Sequence, residues 1–355
     1  MNYVGTARPI HDAKGKATGY TKYAGDLSLP NMAYLCMLHS KIPHGYVKAV
    51  HAAKALALPG VYGVYHCLNT TDRKYNRYRS NFDQAYLPNE ECAFNDYVRF
   101  VGDKIGVVAA CDQETAERAA RLVEVEYEEL PFSIGFDDTL AGKNCLEGET
   151  PVRDEYTLDV GKKQESTEGL IEVCSTMELP RLHHATMETH ACIADYDPYI
   201  DMLTVYCPNQ AVTGIRTVLA DYLEVPGSHV RVIKATMGGS FGAKQEWFLE
   251  PVAALVAKKL CCPVKPVYSR GEAMTDTIVR GAMRMSARGY YTPAGEMKEI
   301  YCDVTLDAGA YIGNAGDYIR ALAGKPPRCY RIPSMPYPGQ VISSNSPVSA
   351  AFRRW

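Results

Sequence analysis

The residues with the strongest claim to chemistry are Met237-Gly238-Gly239-Ser240-Phe241-Gly242-Ala243-Lys244, between an expected strand and an expected helix. Small residues let backbone approach a ligand closely, and amides at a helix start favour anions. The run departs from a phosphate-binding P-loop, because Ala243 precedes Lys244 and no Ser or Thr follows. It also departs from G-x-G-x-x-G, because Ser240 and Phe241 fill the middle. On these residues alone, a tight strand-to-helix turn explains the run as well as a binding loop does. Gln210, in Cys207-Pro208-Asn209-Gln210, ends a strand, where a side-chain amide can donate to a bound oxyanion or metal oxo group. His183, His184 and His190 flank Glu188, but the spacing HHATMETH matches no H-E-x-x-H metal pattern, so structural histidines are the simpler reading. Arg280 and Arg284 follow Thr275-Asp276-Thr277. Either guanidinium can hold an anionic or carbonyl-bearing substrate, although surface arginines are far commoner than functional ones. No G-x-S-x-G elbow marks a nucleophile.

The 355 residues, 46% of them hydrophobic, suffice for two or three packed domains. Lys and Arg number 38 against 41 Asp and Glu, giving a formal net charge of -3, so no excess of base is available to neutralise nucleic-acid phosphates. Apolar runs such as Val252 to Ala257 are much too short to cross a bilayer, and the first residues lack a signal-like apolar stretch. A cytoplasmic protein without membrane partners is expected. The twelve cysteines stand mostly apart, without C-x-x-C or C-x4-C-x2-C, so free thiols are expected, with no zinc knuckle or iron-sulfur centre in this chain.

The pattern along the chain is α+β. Residues 1–25 read as an extended N-terminal segment. Residues 26–140 read as a first domain: a strand in AYLCMLHS, an Ala-rich helix within VKAVHAAKALAL, and a strand after Pro59-Gly60, together a β-α-β unit. A long loop follows from Thr70 to Ala93, whose Arg73, Lys74, Arg77 and Arg79 are expected to be solvated. Then come a strand in DKIGVVAAC, a helix capped by Asp112, and a strand in VEVEYEEL. The polar residues 141–170 read as a linker. Residues 171–355 read as a second domain, with strands in IEVCSTMEL, CIADYDPYIDMLTVYCP, HVRVIKAT, CCPVKPVYS and MKEIYCDVTLDAGAYIG. Helices are expected in GIRTVLADYLEV and QEWFLEPVAALVAKKL, with Pro251 tolerable near a first turn.

In order, these segments resemble the molybdenum hydroxylases of the xanthine dehydrogenase and aldehyde oxidase type, specifically the first half of their molybdopterin-binding subunit. Ser40-Lys41-Ile42-Pro43-His44-Gly45, Leu58-Pro59-Gly60-Val61, Val98 to Asp103 and Val125 to Pro131 resemble the a/b hammerhead domain. Met187-Glu188-Thr189-His190, Pro208-Asn209-Gln210, Met237 to Lys244 and Leu306 to Tyr311 resemble the first molybdenum-binding domain, here incomplete at its C-terminus. The resemblance implies a molybdenum-molybdopterin cofactor, in the cytosine dinucleotide form usual among bacterial relatives, with no metal ligand from side chains. It places Gln210 near an oxo ligand of molybdenum, Gly239, Phe241 and Gly242 against the cofactor, and Arg353, of Ala351-Phe352-Arg353, in a segment passing close to the metal. Gln245 stands where purine-oxidising members often carry glutamate, and Arg280 matches an arginine that stabilises charge on a substrate carbonyl.

The implied reaction inserts oxygen from water into a C–H bond of an N-heterocycle or an aldehyde, with electrons leaving through iron-sulfur and FAD centres on partner chains. Gln245 and Arg280 favour a purine or related heterocycle. Ser240 and Ala243 replace glycines common in the loop, and Arg354-Trp355 follows A-F-R where glycine is usual. The second molybdenum-binding domain is absent from this sequence, so the chain alone is expected to be inactive. It reads as one subunit of a site divided between polypeptides, as a truncated reading frame, or as a non-catalytic remnant of the fold.

Overall fold

The computed structural model describes residues 4–78, 87–142, 144, 146 and 148–353. Lys104–Ala110, KIGVVAA, is buried at every position, so it must lie inside a sheet covered on both faces. It pairs antiparallel with Ala33–His39 on one side and Val61–His66 on the other. Ala33–His39 in turn pairs in parallel with Val264–Pro266, which continues through Ile193–Asp197 and Met202–Cys207 to Val230–Lys234. This seven-stranded sheet therefore draws strands from both halves of the chain. Helix Glu250–Leu260 covers it, with Val252, Ala253, Ala254, Val256 and Ala257 fully buried and Pro251 in the first turn, where its missing N–H costs nothing. Helix Gln113–Ala120 starts where expected: Asp112 Oδ1 accepts from Thr115 N at 2.7 Å.

Residues 1–25 are not extended throughout, since Ala13–Ala17 forms a short helix, and three further readings change. Gly45–His51 is a strand, and the Ala-rich helix shrinks to the single turn Ala53–Leu56. The reason is electrostatic as well as steric, because Lys48, His51 and Lys54 face Glu128, Glu126 and Glu124 of the antiparallel strand Glu124–Glu129. The expected linker contains the strand Val152–Gly161, an edge of a five-stranded sheet paired with Ser334–Ile342. Its alternating Tyr156, Leu158 and Val160 pack on the core formed with helix Ala315–Ala323. The described cysteines are free thiols.

The last change concerns the basic loop. Arg79 lies outside the described residues, but Arg77 is 2% exposed, far from solvated. Its Nε donates to Glu91 Oε2 at 2.6 Å, and its guanidinium lies over the Phe248 ring at 4.9 Å. Lys104 Nζ donates to Glu91 Oε1 at 2.8 Å and to Asp276 Oδ1 at 3.3 Å, and Asp276 also meets His39 at 3.2 Å and the Tyr268 hydroxyl. Two cations thus alternate with two carboxylates in a dry interior. Burial pushes the Asp276 carboxyl up, but Lys104 and His39 outweigh it and hold the group at about 2.

Replacing Lys104 with methionine leaves Glu91 and Asp276 buried without their shared cation. The variant is expected to lose ~3–5 kcal/mol of stability, read as a lower denaturant midpoint; an unchanged midpoint would refute this account of the charge chain.

Candidate active site

Strand Val230–Lys234 delivers the glycine run to its carboxyl end, the side of an open sheet where ligands bind. The loop is clamped from within. Glu188 Oε2 accepts from the Gly238 amide at 2.7 Å and from Lys244 Nζ at 2.5 Å. A Cβ on Gly238 would sit 2.6 Å from the Glu188 Cβ. Gly239 and Gly242 take φ of +105° and +107°, while Phe241, at φ 55°, is a non-glycine residue in the left-handed region and stays about half exposed.

A second loop meets the first. The Arg353 amide donates to the Phe241 carbonyl at 2.7 Å, and a Cβ on Gly242 would lie 2.3 Å from the Ala351 carbonyl oxygen. Only glycine permits that approach. Two buried histidines hold the pair of loops. His190 Nε2 donates to the Ala243 carbonyl at 3.0 Å, and His184 Nε2 donates to the Ala351 carbonyl at 2.8 Å. Burial pushes both imidazoles down to about 4, so both are neutral near pH 7. Gln210 is tied in through its amide N–H to the Lys244 carbonyl at 2.8 Å, and its Oε1 accepts from the Ser240 hydroxyl at 2.5 Å.

Between the loops lies an open cleft of about 800 Å³, lined by Gln210, Phe241, Gly242, Gln245, Lys325 and Arg353 among others. A hollow of about 1080 Å³ beside His39, Tyr127 and Lys265 shares no lining residue with it. Five of the residues singled out from the sequence thus converge, and Gly239 lies in the supporting loop. Arg280 does not line the cleft: its guanidinium lies 4.3 Å from the Phe352 ring centroid. Arg284 is remote from it, bound to Glu178 at 2.7 Å and Asp137 at 2.8 Å. The three histidines face protein groups: His183 Nε2 meets the Ala273 carbonyl at 2.8 Å and its Nδ1 accepts from the Ala185 amide at 2.9 Å, while His184 and His190 donate to the loop carbonyls. Structural histidines are the reading the sequence favours, but it does not announce that His184 and His190 clamp the Ala351 and Ala243 carbonyls.

Fold and cleft place glycine backbone and polar donors on one wall of an open site at the carboxyl end of a sheet. The chain matches the sequence profile of the molybdopterin cofactor-binding domain over residues 150–354, and that of the aldehyde oxidase and xanthine dehydrogenase a/b hammerhead domain over residues 18–131. It is 32% identical to a probable xanthine dehydrogenase subunit of Bacillus subtilis, across 99% of this chain and 46% of that one. It is 30% identical to the nicotinate dehydrogenase large molybdopterin subunit of Eubacterium barkeri, across 96% of this chain and 79% of that one. The structure of quinoline 2-oxidoreductase from Pseudomonas putida 86 superposes with a TM-score of 0.86 at 23% identity, over 98% of this chain and 45% of that chain, a likeness of fold. The chain belongs to the molybdopterin-binding subunits of the xanthine dehydrogenase and aldehyde oxidase family. It spans about half the length of the Bacillus relative.

Because His190 has a folded value near 4 against 6.5, the unfolded chain binds the extra proton as pH falls. The contribution of His190 to stability is therefore intact above pH 6.5 and is lost toward pH 4, by up to ~3 kcal/mol, while the raised carboxyls of Glu246, Glu250 and Asp103 act in the opposite sense over the same window. Chemical denaturation of wild type and His190→Gln across that window reads this contribution as the difference between them, with the wild type losing stability relative to the variant as pH falls; equal slopes in both proteins would refute the assignment.

Proposed function

We propose that this chain supplies one wall of the substrate and molybdenum-cofactor site of a hydroxylase that oxidises a purine or related N-heterocycle. The observation that carries the reading is the convergence of Gln210, Phe241, Gly242, Gln245 and Arg353 on a single open cleft. The residues fit the group. Glycine backbone allows close approach, the Gln210 amide and Arg353 and Lys325 cations favour an anionic, oxygen-rich ligand, and no carboxylate among the described residues lines the cleft. When bound, the cofactor supplies a two-electron oxidation in which oxygen from water replaces hydrogen on carbon. This chain's residues position and polarise: the Gln210 amide donates toward the cofactor, Phe241 and Gly242 present backbone to it, and Gln245 offers both donor and acceptor to a heterocycle edge.

Arg280 acts indirectly in this reading, by holding the ring of Phe352 between Ala351 and Arg353 in the chain. The opposite wall comes from a chain carrying the second molybdenum-binding domain, and electrons pass to iron-sulfur and FAD subunits. The name of the Eubacterium barkeri relative, a large molybdopterin subunit of which this chain covers most, supports such a division. Cytosine dinucleotide is the proposed form of the pterin, and the cytoplasm the proposed location. No helix among the described residues is long and apolar enough to cross a membrane. The second reading, an aldehyde-oxidising member, rests on the same cleft without use of Gln245.

Co-production with the chain bearing the second domain, followed by metal analysis and dye-linked assays on hypoxanthine, xanthine, nicotinate and benzaldehyde, tests the proposal. Molybdenum retention and turnover of a heterocycle are expected, while turnover of benzaldehyde alone would overturn the heterocycle preference. Gly242→Ala is expected to reduce metal content at least tenfold, since its methyl group meets the Ala351 carbonyl.

A further inference from the structure

We infer that Ser240 is a positioning residue that decides which end of the Gln210 side chain faces the cleft. The inference rests on the cofactor reading above and concerns a residue that does not itself line the cleft. Ser240 is 6% exposed, and its hydroxyl has two partners. The backbone N–H of Lys244 donates to the Ser240 oxygen at 3.0 Å, and Gln210 Oε1 lies 2.5 Å away. A hydroxyl carries one hydrogen, and the Lys244 amide cannot accept it, so that hydrogen goes to the Gln210 oxygen.

Turning the amide over would bring NH2 against the buried hydroxyl and leave the hydroxyl hydrogen without an acceptor, an arrangement folded proteins rarely keep. Gln210 is also anchored by its backbone N–H on the Lys244 carbonyl at 2.8 Å, so both bonds that set its pose come from the same turn of the glycine loop. With Oε1 committed to Ser240, the exposed end of the amide is Nε2. The cleft therefore meets its ligand at this point with a donor, and the complementary group is an oxygen that accepts, such as an oxo or other anionic oxygen.

The test uses the assembled enzyme, with molybdenum content, kcat, KM and the Mo(V) electron paramagnetic resonance signal as readouts. Ser240→Ala is expected to keep its metal and a KM within about twofold, to lower kcat on the order of tenfold, and to shift the resonance. Ser240→Thr, which keeps the hydroxyl, is expected to restore both. In a Gln210→Ala background Ser240→Ala should cost nothing more, because the serine acts through the glutamine.

Gln210→Glu still accepts from Ser240 but turns oxygen to the cleft, and it is expected to lower kcat at least as far. A loaded Ser240→Ala enzyme with unchanged kcat and resonance, or a full further loss in the Gln210→Ala background, overturns the inference and leaves the cofactor reading intact. Wild-type kcat in Gln210→Glu overturns it even where Ser240→Ala fails to assemble. An assembled wild-type protein that retains no molybdenum overturns the cofactor reading, and this inference with it.

Discussion

The contact between the Phe241 carbonyl and the Arg353 amide, at 2.7 Å, is the point on which the cleft depends. It joins two loops that are distant in sequence, and both partners sit in the left-handed region, at φ 55° and 51°, without being glycine. Such backbone costs about 1–3 kcal/mol per residue and persists only where surrounding structure over-determines it. Here that support is specific. Glu188 and Lys244 brace the first loop, while His184 and His190 donate to carbonyls of the second and first. A cleft assembled from backbone alone would be free to relax; one assembled from backbone held by buried, neutral imidazoles is not.

The second loop is in turn held by the deepest part of the fold. Lys104, on the fully buried strand Lys104–Ala110, binds Asp276. Just after Asp276, the Val279 amide donates to the Val348 carbonyl and the Val279 carbonyl accepts from Ala350, which fixes the segment leading into Ala351 and Arg353. The hammerhead half therefore has a mechanical role at the site without lining the cleft, because its buried strand supplies the cation that orders the support of the A-F-R segment. The shared seven-stranded sheet makes the same point at larger scale, since Ala33–His39 and Val264–Pro266 are neighbours.

Most long elements are legible in the sequence because their signals are local. The Asp112 cap, the alternation in Val125 to Glu129 and the apolar helix after Pro251 each follow from short-range pattern. Pattern misleads where a distant partner decides. Ala49 and Ala52 favour helix in isolation, yet the acids of Glu124–Glu129 draw Gly45–His51 into a strand. Arg77 looks solvated until Glu91 and Phe248 enclose it. Residues 141–170 lack enough large side chains to announce a strand, and only the full-length pairing with Ser334–Ile342 reveals one. At the site, residue types and order are enough to single out Gln210, Phe241, Gln245 and Arg353, because the motifs are compact. The roles of His184 and Ser240 are not legible there, since each rests on one hydrogen bond formed in three dimensions.

On the proposed function, the position of Arg280 off the cleft lining moves heterocycle recognition to other residues. A guanidinium stacked on Phe352 at 4.3 Å is engaged with the ring face, so its direct reach toward a ligand is reduced. Gln245 remains on the lining, and unlike a carboxylate its amide both donates and accepts. On the proposed function, that pairing suits the alternating N–H and C=O edge of an oxidised N-heterocycle. An aldehyde offers only one acceptor to the same side chain. In that proposal the preference for heterocycles rests on Gln245 acting from the wall, while Arg280 is engaged with Phe352, which is not part of the lining.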